Sequence, residues 1–263
     1  MMDLGLKGKR ALVMGASKGL GRSIADALAA EGAALVISGR DQASLDAASR
    51  ELVALGAASC VGIPADVAEG EQMDALAEGA IKAMGGVDIL VQNHGGPPPG
   101  PALEVTEELL TTWFQRIVLA PVRITNKLLP GMRAQKFGRV INVGSTGMAA
   151  PIPNLVLSNA LRASVMGWMK TLSAEVAHEG VTCNIVAPGA IRTDRSLETA
   201  AGLAKRSGKS VDDVIADRSK TIPAGRYGLP SEYGPLVAFL CSPQAAYITG
   251  EIFRIDGGMV RGW

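Results

Sequence analysis

The sequence predicts an α/β fold built on one doubly wound parallel sheet, and three features of the chain support this prediction. Short apolar runs alternate with longer helix-like stretches across all 263 residues, which is typical of repeated strand–helix–strand units. The apolar runs lack a polar residue at every second position, as expected for strands buried on both faces. A glycine-rich turn, Gly15–Gly21, separates the first run from the first helix-like stretch. We therefore expect seven parallel strands with helices on both faces of the sheet.

Each expected strand lies on an apolar run, and each expected helix lies on the stretch that follows it. Right-handed crossovers between parallel strands then determine most of the topology. The chain has no linker-like segment and no internal repeat, which indicates one domain spanning residues 1–263. The expected strands are Arg10–Gly15, Ala33–Ser38, Ser59–Pro64, Val87–Gln92, Gly138–Ser145, Val181–Ala187 and Glu251–Ile255, and the expected helices begin near Gly19, Asp41, Glu69, Thr106, Asn154 and Pro230.

Three connections follow expected strands and are predicted to line a pocket at the carboxyl edge of the sheet, where open α/β folds bind ligands. The first is His94–Pro101, whose sequence HGGPPPGP is that of a loop. The second is Gly147–Leu157. The third, at 194–228, is polar and contains an expected short helix, Ser210–Lys220. We interpret this third segment as a lid, and a plain surface connection is the alternative.

The composition argues against several classes of partner. The 26 Lys and Arg residues nearly balance 25 Asp and Glu residues, which gives a net charge of +1. This balance disfavours nucleic acid or an anionic membrane surface as a partner. Residues 1–10 lack the apolar core of a secretory signal, and no apolar stretch is as long as a transmembrane helix. The three scattered cysteines predict neither disulfides nor a metal site. We expect a cytoplasmic protein that acts on a small molecule.

The glycine-rich turn has the composition of a dinucleotide-binding loop. One glycine allows the sharp turn out of the strand, another lets the backbone approach a pyrophosphate, and the last allows close packing of the helix. The N–H groups at the start of that helix face the phosphates with a partial positive charge. In a strand–turn–helix context, this glycine spacing indicates dinucleotide binding.

Several motifs in the same order resemble those of the short-chain dehydrogenase/reductase family, over nearly the whole chain. The motifs are Gly-x-x-x-Gly-x-Gly from Gly15 to Gly21, Asp66-Val67, Asn93-His94-Gly95, Pro188-Gly189 with Thr193, and Asp256-Gly257-Gly258. The chain is most similar to the 3-oxoacyl-acyl-carrier-protein reductase type. The resemblance implies a single-domain Rossmann fold, a nicotinamide cofactor, and a homo-oligomer (tetramer or dimer) formed through the helices at 106–136 and 154–178. The expected cofactor contacts are Gly15, Ser17, Lys18, Gly19, Leu20, Gly21, Arg40, Asp66, Val67, Asn93, Gly95, Pro188, Gly189, Ile191 and Thr193.

The end of the second expected strand favours NADP(H) over NAD(H). An acidic residue at this position would bind the 2′-hydroxyl of NAD and repel a 2′-phosphate. The chain instead reads Ser38-Gly39-Arg40, with no carboxylate before Asp41. Arg40 can bind a phosphate dianion through two hydrogen bonds, and Lys18 in the glycine turn adds a point charge. The alternative is that both cations are solvated surface residues.

The resemblance implies four catalytic positions, and this chain keeps one of them. The family uses an Asn on the fourth long helix, a Ser after the fifth strand, and a Tyr-x-x-x-Lys pair in which the Tyr is the general acid and base. Ser145 stands at the serine position, whereas Ile117, Ser158 and Arg162 stand where the Asn, Tyr and Lys are found. The three tyrosines of the chain lie elsewhere, and none has a lysine four residues later.

These replacements change the expected chemistry. A serine hydroxyl is a much weaker acid than a tyrosine, and an arginine stays protonated. Ser158 and Arg162 lie one turn apart on a helix face, so we expect them to donate hydrogen bonds to a ribose or to a developing alkoxide. His94, where the family has a small alanine, is the candidate proton donor. The alternative is that its ring bonds a carbonyl of its own loop. Asn159 is a further polar candidate with a weaker case.

Two functions remain open. One is an NADP(H)-dependent oxidoreductase acting on a carbonyl or alcohol with a remodelled proton relay, which the intact glycine turn, Asp66 and Asn93 support. The other is a dinucleotide-binding protein without turnover, such as a sensor or a partner subunit, which the missing Asn, Tyr and Lys support. Lyase chemistry of the halohydrin dehalogenase kind is disfavoured, because those proteins keep the Tyr and alter the glycine turn.

Overall fold

The structure, a computed structural model, describes residues 3–262. Within that range seven strands form one sheet in which every neighbouring pair is parallel. Their order is β3-β2-β1-β4-β5-β6-β7, where the strands are β1 Arg10–Val13, β2 Ala34–Gly39, β3 Ser59–Pro64, β4 Ile89–Gln92, β5 Gly138–Val143, β6 Val181–Pro188 and β7 Ile252–Ile255. The direction of winding reverses between β1 and β4. The predicted fold is confirmed, and ligands of such sheets bind at the carboxyl ends of the strands beside this reversal.

Helices cover both faces of the sheet and enclose two apolar cores. They are α1 Gly19–Ala30, α2 Gln42–Leu55, α3 Gly70–Met84, α4 Glu107–Phe114, α5 Ala120–Ala134, α6 Val156–Val176, α7 Asp194–Ser207, α8 Val211–Lys220 and α9 Gly234–Cys241. In β1, Ala11 and Val13 pack in the core beneath α1 and α9, whereas Leu12 packs in the core beneath α3, α5 and α6. Burial of successive side chains on opposite faces explains why the apolar runs lack polar alternation.

The ends of several elements differ from the prediction by one or two residues. β1 and β5 both end two residues early, so Ser145 lies just beyond its strand rather than inside it. The helix expected to begin at Asn154 begins as α6 at Val156, because Asn154 adopts a left-handed φ of 58°. A short 3₁₀ turn at Pro230–Glu232 precedes α9.

The single helix expected at 106–136 is interrupted. α4 and α5 are joined by a π turn at Gln115–Leu119. Pro121 explains the wider turn, because it has no N–H for the carbonyl of Ile117 four residues earlier, and its ring crowds that carbonyl. Single π turns inside helices are frequent at functional sites. This one contains Ile117, the position at which the resemblance implies an Asn.

The outer face of this interrupted helix is apolar in places. Leu110, Phe114 and Leu119 are 41%, 38% and 43% exposed. The helix belongs to the region expected to form contacts between copies of the chain, and these are the side chains that such a contact would cover.

The segment at 194–228 is more regular than the sequence predicts. The expected helix Ser210–Lys220 is present as α8, with Ser210 as its N-cap. The helix α7 before it is not predicted, because it buries only Ala200 and Ala204 and so has no broad apolar stripe. The two helices form a hairpin that leaves the carboxyl edge of the sheet after β6 and returns to it where Gly228 pairs with Ile191.

A buried polar network joins β4, β5 and α5 beneath that edge. Gln92 Nε2 donates to Pro121 O at 2.9 Å and to Thr125 Oγ1 at 2.6 Å, and Asn142 Nδ2 donates to Gln92 Oε1 at 3.0 Å. Gln92, Thr125 and Asn142 are almost fully buried. Paired polar groups in a low-dielectric interior fix one arrangement of the elements that carry them, so the network holds the π turn in register with the sheet.

Three observations limit the chemistry of the described residues. No helix between residues 3 and 262 is both long and apolar enough to cross a membrane. No three His, Cys, Asp or Glu side chains in that range come together as metal ligands. The thiols of Cys60, Cys183 and Cys241 are free, and desolvation raises the pKa of Cys183 and Cys241 to about 12. These two thiols are therefore protonated and unreactive at neutral pH.

Candidate functional site

The glycine turn after β1 is packed against the end of β4 through the side chain of Asn93. Asn93 Nδ2 donates to the carbonyl oxygens of Met14 at 3.2 Å and Gly15 at 3.0 Å. Gly15 has a φ of +58°, and a Cβ there would lie 2.8 Å from Asn93 O. A Cβ on Gly21 would lie 2.2 Å from Gly15 O and 2.5 Å from Asn93 Nδ2. Only glycine fits at either position, which leaves backbone rather than side chains at the surface that a pyrophosphate would approach.

Two helix N-termini meet at this turn. α1 follows Lys18, whose side chain makes no capping hydrogen bond. α7 follows Thr193, whose Oγ1 accepts from Ser196 N at 3.3 Å. Thr193 Cγ2 lies 3.9 Å from the position of a Cβ on Gly19. Because each helix has a partial positive charge at its N-terminus, this corner suits an anion such as a diphosphate.

The two cations expected at the ribose end follow backbone segments that touch each other. Ser17 Oγ is 3.6 Å from the position of a Cβ on Gly39, so the glycine turn and β2 touch one residue before Lys18 and Arg40. The Arg40 side chain is exposed. Lys18 Nζ lies 3.8 Å from Asp194 Oδ2, and both of these side chains are mostly exposed.

The carboxylate of Asp41, which directly follows Arg40, accepts hydrogen bonds within its own turn. Asp41 Oδ1 accepts from Ser44 Oγ at 2.5 Å and from Ser44 N at 2.8 Å, as the N-cap of α2. These hydrogen bonds lower the pKa of Asp41 below its ordinary value. Asp66 accepts from Ala68 N at 2.9 Å in the turn after β3. The end of β2 therefore carries the Arg40 guanidinium and the Asp41 carboxylate, which is held toward the start of α2 by Ser44.

Ser145, Ser158 and Arg162 lie where β5 and α6 meet. Ser145 Oγ accepts from Gly147 N at 3.1 Å. Ser158 is 9% exposed. Arg162, one turn later, is 8% exposed and donates from Nη1 to Val143 O at 2.5 Å. Burial lowers the pKa of Arg162 to about 10, so the guanidinium remains charged at neutral pH.

The position at which the resemblance implies an Asn is apolar. Ile117 is 1% exposed and packs in the core beneath α6 with Leu157, Leu161 and Val165. A side chain of this kind cannot take part in a hydrogen-bonded relay. The site therefore lacks the polar connection that an Asn would provide.

Asn159 stabilises the loop that follows β5 through two hydrogen bonds. Its Nδ2 donates to Ile152 O at 2.9 Å, and its Oδ1 accepts from Ile152 N at 3.3 Å. The same loop borders an apolar cavity of about 470 Å³, lined in part by Met148, Ile152 and Val156. The cavity gives an apolar substrate group space on the flank of α6.

His94 bonds its own loop and is held neutral. Its Nδ1 lies 2.8 Å from Gly95 O, so Nδ1 carries the hydrogen and donates it to that carbonyl. Desolvation, followed by the charges of Arg162, Arg195 and Arg116, lowers the pKa of His94 to about 3. In this state the imidazole is not a proton donor at neutral pH.

Tyr233 does not replace the missing tyrosine. Its side chain is fully buried, and its hydroxyl donates to Val186 O at 2.7 Å. Burial raises its pKa well above the ordinary value. The proton of this hydroxyl is therefore held in the core.

Sequence reasoning missed Arg195, which belongs to this site. From the first turn of α7, Arg195 Nη2 donates to Gly96 O at 2.9 Å and to Pro97 O at 3.1 Å. The position of a Cβ on Gly96 lies 3.3 Å from Arg195 Nη2 and 3.8 Å from Arg162 Nη2. A sequence signal was available, because Arg195 follows the expected cofactor contact Thr193 by two residues. It was missed because the sequence predicts no helix at 194–209.

Arg116 is the second residue that sequence reasoning missed. It lies in the π turn, with its guanidinium 5.2 Å from the centre of the Trp113 ring. Its Nε is buried without a hydrogen-bond partner among residues 3–262. No sequence motif marks Arg116, because its place depends on the π turn.

Comparisons with known proteins identify relatives that match nearly the whole chain. A family model described as enoyl-(acyl carrier protein) reductase matches residues 15–260. The 3-oxoacyl-acyl-carrier-protein reductase FabG of Vibrio cholerae is 36% identical over 261 residues, which cover 97% of this chain and 99% of the relative. L-sorbose reductase from Gluconobacter frateurii, solved with NADPH and L-sorbose, superposes with a TM-score of 0.95 at 33% identity and with full coverage of both chains. A variant of actinorhodin polyketide ketoreductase with NADPH gives a TM-score of 0.90 at 30% identity, covering 98% of this chain and 99% of that one.

The contact between Gly21 and Gly15 predicts the effect of a single methyl group. Gly21→Ala places a Cβ against Gly15 O and Asn93 Nδ2, so the turn must move and lose its fit to a dinucleotide. We expect the variant to fold and to lose the thermal stabilisation that NADPH gives the parent protein. Gly131→Ala is the control, because nothing lies within 4 Å of a Cβ there in the exposed part of α5. An unchanged NADPH response in Gly21→Ala would contradict the assignment of this turn.

The low pKa of His94 predicts a defined loss of stability in acid. The unfolded chain binds a proton at His94 below about pH 6.5, whereas the folded chain does so only near pH 3. The free energy of unfolding therefore falls as pH decreases from 6.5, by about 1–2 kcal/mol at pH 5 from this group. We expect His94→Asn to lose less stability than the parent between pH 7 and pH 5 in urea titrations. His178→Asn, at a side chain that is 73% exposed, should behave as the parent. Equal losses in all three proteins would show that His94 is not held neutral.

Proposed function

The chain belongs to the short-chain dehydrogenase/reductase family of oxidoreductases, and from this premise we propose that it binds NADP(H) and transfers a hydride between the nicotinamide and a carbonyl or alcohol substrate. The observation that carries the proposal is the close packing of Gly15, Gly21 and the Asn93 amide, where a Cβ on either glycine would lie within 2.9 Å of Gly15 or Asn93 atoms. A chain that had abandoned dinucleotides would not need this close packing. The meeting of the α1 and α7 N-termini at the same place supports the diphosphate position.

The preference for NADP(H) rests on charge at the end of β2. Arg40 is exposed there, Lys18 lies on the neighbouring turn, and Asp41 is engaged by Ser44. A 2′-phosphate dianion gains from Arg40, and from Lys18 where it replaces the weak contact between Lys18 and Asp194. The reductases from Gluconobacter frateurii and of actinorhodin biosynthesis named above were both solved with NADPH, which supports the same choice.

The residues of this chain then act on the substrate by charge and hydrogen bonding. When bound, the nicotinamide supplies or accepts the hydride. Ser145 and Ser158 place hydroxyl groups near the expected position of the substrate oxygen, and Arg162 adds a positive charge one turn away on α6. Donors fixed in a partly buried site stabilise the negative charge that develops on a carbonyl oxygen during reduction. Because tyrosine is absent from this position, the proton that completes the alcohol comes from solvent or from another group.

A dinucleotide-binding protein without turnover remains the second candidate. The observations that favour it are the apolar Ile117 beneath α6 and the serine at the tyrosine position. The two candidates share the cofactor site and differ in whether bound NADPH is consumed.

Dinucleotide binding is tested by thermal unfolding with NADPH, NADP, NADH and NAD. A ligand at 100 times its Kd adds about 2.7 kcal/mol, and each kcal/mol raises the Tm by roughly 2–4 °C at this size. We expect a rise of about 5–10 °C with the two phosphorylated forms and a smaller rise with the others. Arg40→Ala should remove the difference, whereas Arg50→Ala, an exposed arginine further along α2, should keep it. No response to any of the four would refute the oxidoreductase proposal.

Turnover is tested by following NADPH consumption with a panel of ketones, 2-oxo acids and 3-oxo esters. We expect at least one to be reduced, and Ser158→Ala to lower kcat by roughly 10²-fold, as loss of one donor to a developing oxyanion does. The matched control is Ser164→Ala, an exposed serine on the same helix that bonds only Ala160 O. An unchanged kcat in Ser158→Ala would remove Ser158 from the site. Tight NADPH binding with no consumption across the panel would favour the non-catalytic candidate.

A further inference from the structure

Two guanidinium groups converge at Gly96 without a carboxylate to balance them. Arg195 Nη2 and Arg162 Nη2 lie 3.3 Å and 3.8 Å from one point, the position of a Cβ on Gly96. Five other arginines of the described chain form ion pairs with Asp or Glu: Arg10, Arg22, Arg123, Arg133 and Arg226. Within residues 3–262, Arg162 and Arg195 form none. The loop at Gly96 thus carries a local excess of positive charge.

Arg139 is a buried arginine whose hydrogen-bond donors find their partners within the protein. It is 2% exposed, and its guanidinium donates to Gly138 O, Gly180 O and Ser242 O and lies 4.2 Å from the centre of the Phe137 ring. Arg162, with similar burial, donates to one carbonyl, Val143 O. Most of its five N–H donors are therefore unused by the described protein.

Carbonyl partners do not cancel the charge of these arginines. Arg195 donates to two loop carbonyls, and both arginines still act on His94, whose pKa they help to lower to about 3. Arg195 is exposed, whereas Arg162 is buried beside the same loop, and a buried charge next to a like charge is costly unless an anion balances it. Arginine is also the side chain best suited to a planar carboxylate, because its N–H groups bind both oxygens.

The positive charge at Gly96 lies close to the residues expected to hold the reacting oxygen. Arg162 lies one turn from Ser158 on the same face of α6, which separates their Cβ atoms by about 5–6 Å. An anion at Gly96 would therefore lie beside an arginine that shares its helix face with Ser158. We propose that the substrate is an oxo acid or the corresponding hydroxy acid, whose carboxylate binds between Arg162 and Arg195 at Gly96 while its carbonyl or hydroxyl oxygen meets Ser145 and Ser158.

This inference rests on the proposed function and adds the substrate class. The carboxylate anchors the substrate and leaves the reaction unchanged, because no bond to it forms or breaks. Arg116, whose Nε has no partner among residues 3–262, adds a third positive charge near His94. A neutral ketone or an ester lacks the group that would balance these charges.

The test measures binding rather than turnover. Phenylglyoxylate, pyruvate and acetoacetate, each paired with its methyl ester, are titrated by calorimetry into protein saturated with NADP at constant ionic strength. We expect at least one acid to bind ten or more times as tightly as its ester, since hydrogen bonds to charged groups give about that factor. Arg195→Gln should reduce this ratio to near one. Arg192→Gln, the same change at an exposed arginine three residues earlier, should leave the ratio as it is.

The outcomes separate this inference from the proposed function. If no acid binds more tightly than its ester, or if Arg195→Gln keeps the ratio, the carboxylate site is wrong. If Arg195→Gln weakens NADP as much as it weakens the acid, the arginines serve the dinucleotide and the inference is overturned. The acids are also titrated into protein without dinucleotide, so that failure of NADP to bind is seen separately. In that case the proposed function fails, while the ratio of acid to ester still supports or overturns the arginine site.

Discussion

The hydrogen bonds from the Asn93 amide to the carbonyls of Met14 and Gly15 determine where the functional parts of this molecule lie. They join the ends of β1 and β4, the two strands between which the sheet reverses its winding. Because Gly15 and Gly21 have no Cβ, the backbone of the turn and the amide can occupy the same small space. The start of α1 and the loop that begins at His94 both follow from this contact. The glycine turn expected to bind the dinucleotide and the loop expected to line the substrate pocket are therefore positioned by the same contact.

The residues at the implied Asn, Tyr and Lys positions differ from the family pattern, and together they favour charge stabilisation over proton transfer. Pro121 prevents a regular helix at Ile117, yet the side chain in the resulting π turn is apolar and packs beneath α6. Above it, Ser158 has taken the place of a phenol, and Arg162 that of an amine. A serine at Ser158 lacks the general acid and base that the resemblance implies, and Arg162 keeps a fixed positive charge where it implies a lysine. The site is better suited to holding negative charge than to relaying a proton, which is what charge stabilisation of an oxyanion requires.

The sequence predicted those elements best for which the local residue pattern and the packing in the fold favour the same structure. Seven apolar runs gave seven strands, because burial on both faces leaves an unbroken apolar signal. The glycine turn was predictable because its chemistry is that of the backbone. The helix α7 and the π turn were not predictable, since a polar helix with two buried alanines has no stripe and a π turn depends on the packing of Pro121. Arg195 and Arg116 were missed for the same reason: each reaches the site from an element that the sequence did not reveal.

The carboxylate proposed at Gly96 also bears on the source of the proton. His94 is neutral in the described structure because it is desolvated and faces Arg162, Arg195 and Arg116. A carboxylate between two of these arginines opposes their field and raises the pKa of His94 toward its ordinary value, while desolvation and Arg116 continue to hold it down. The loop that carries His94 is also the one to which Arg195 donates, at Gly96 and Pro97. The binding of the charged substrate, the position of the loop at Gly96 and the pKa of His94 thus all depend on the guanidinium of Arg195. Among the described residues His94 is a titratable base near this site, and the proposed carboxylate would make its pKa respond to the substrate itself.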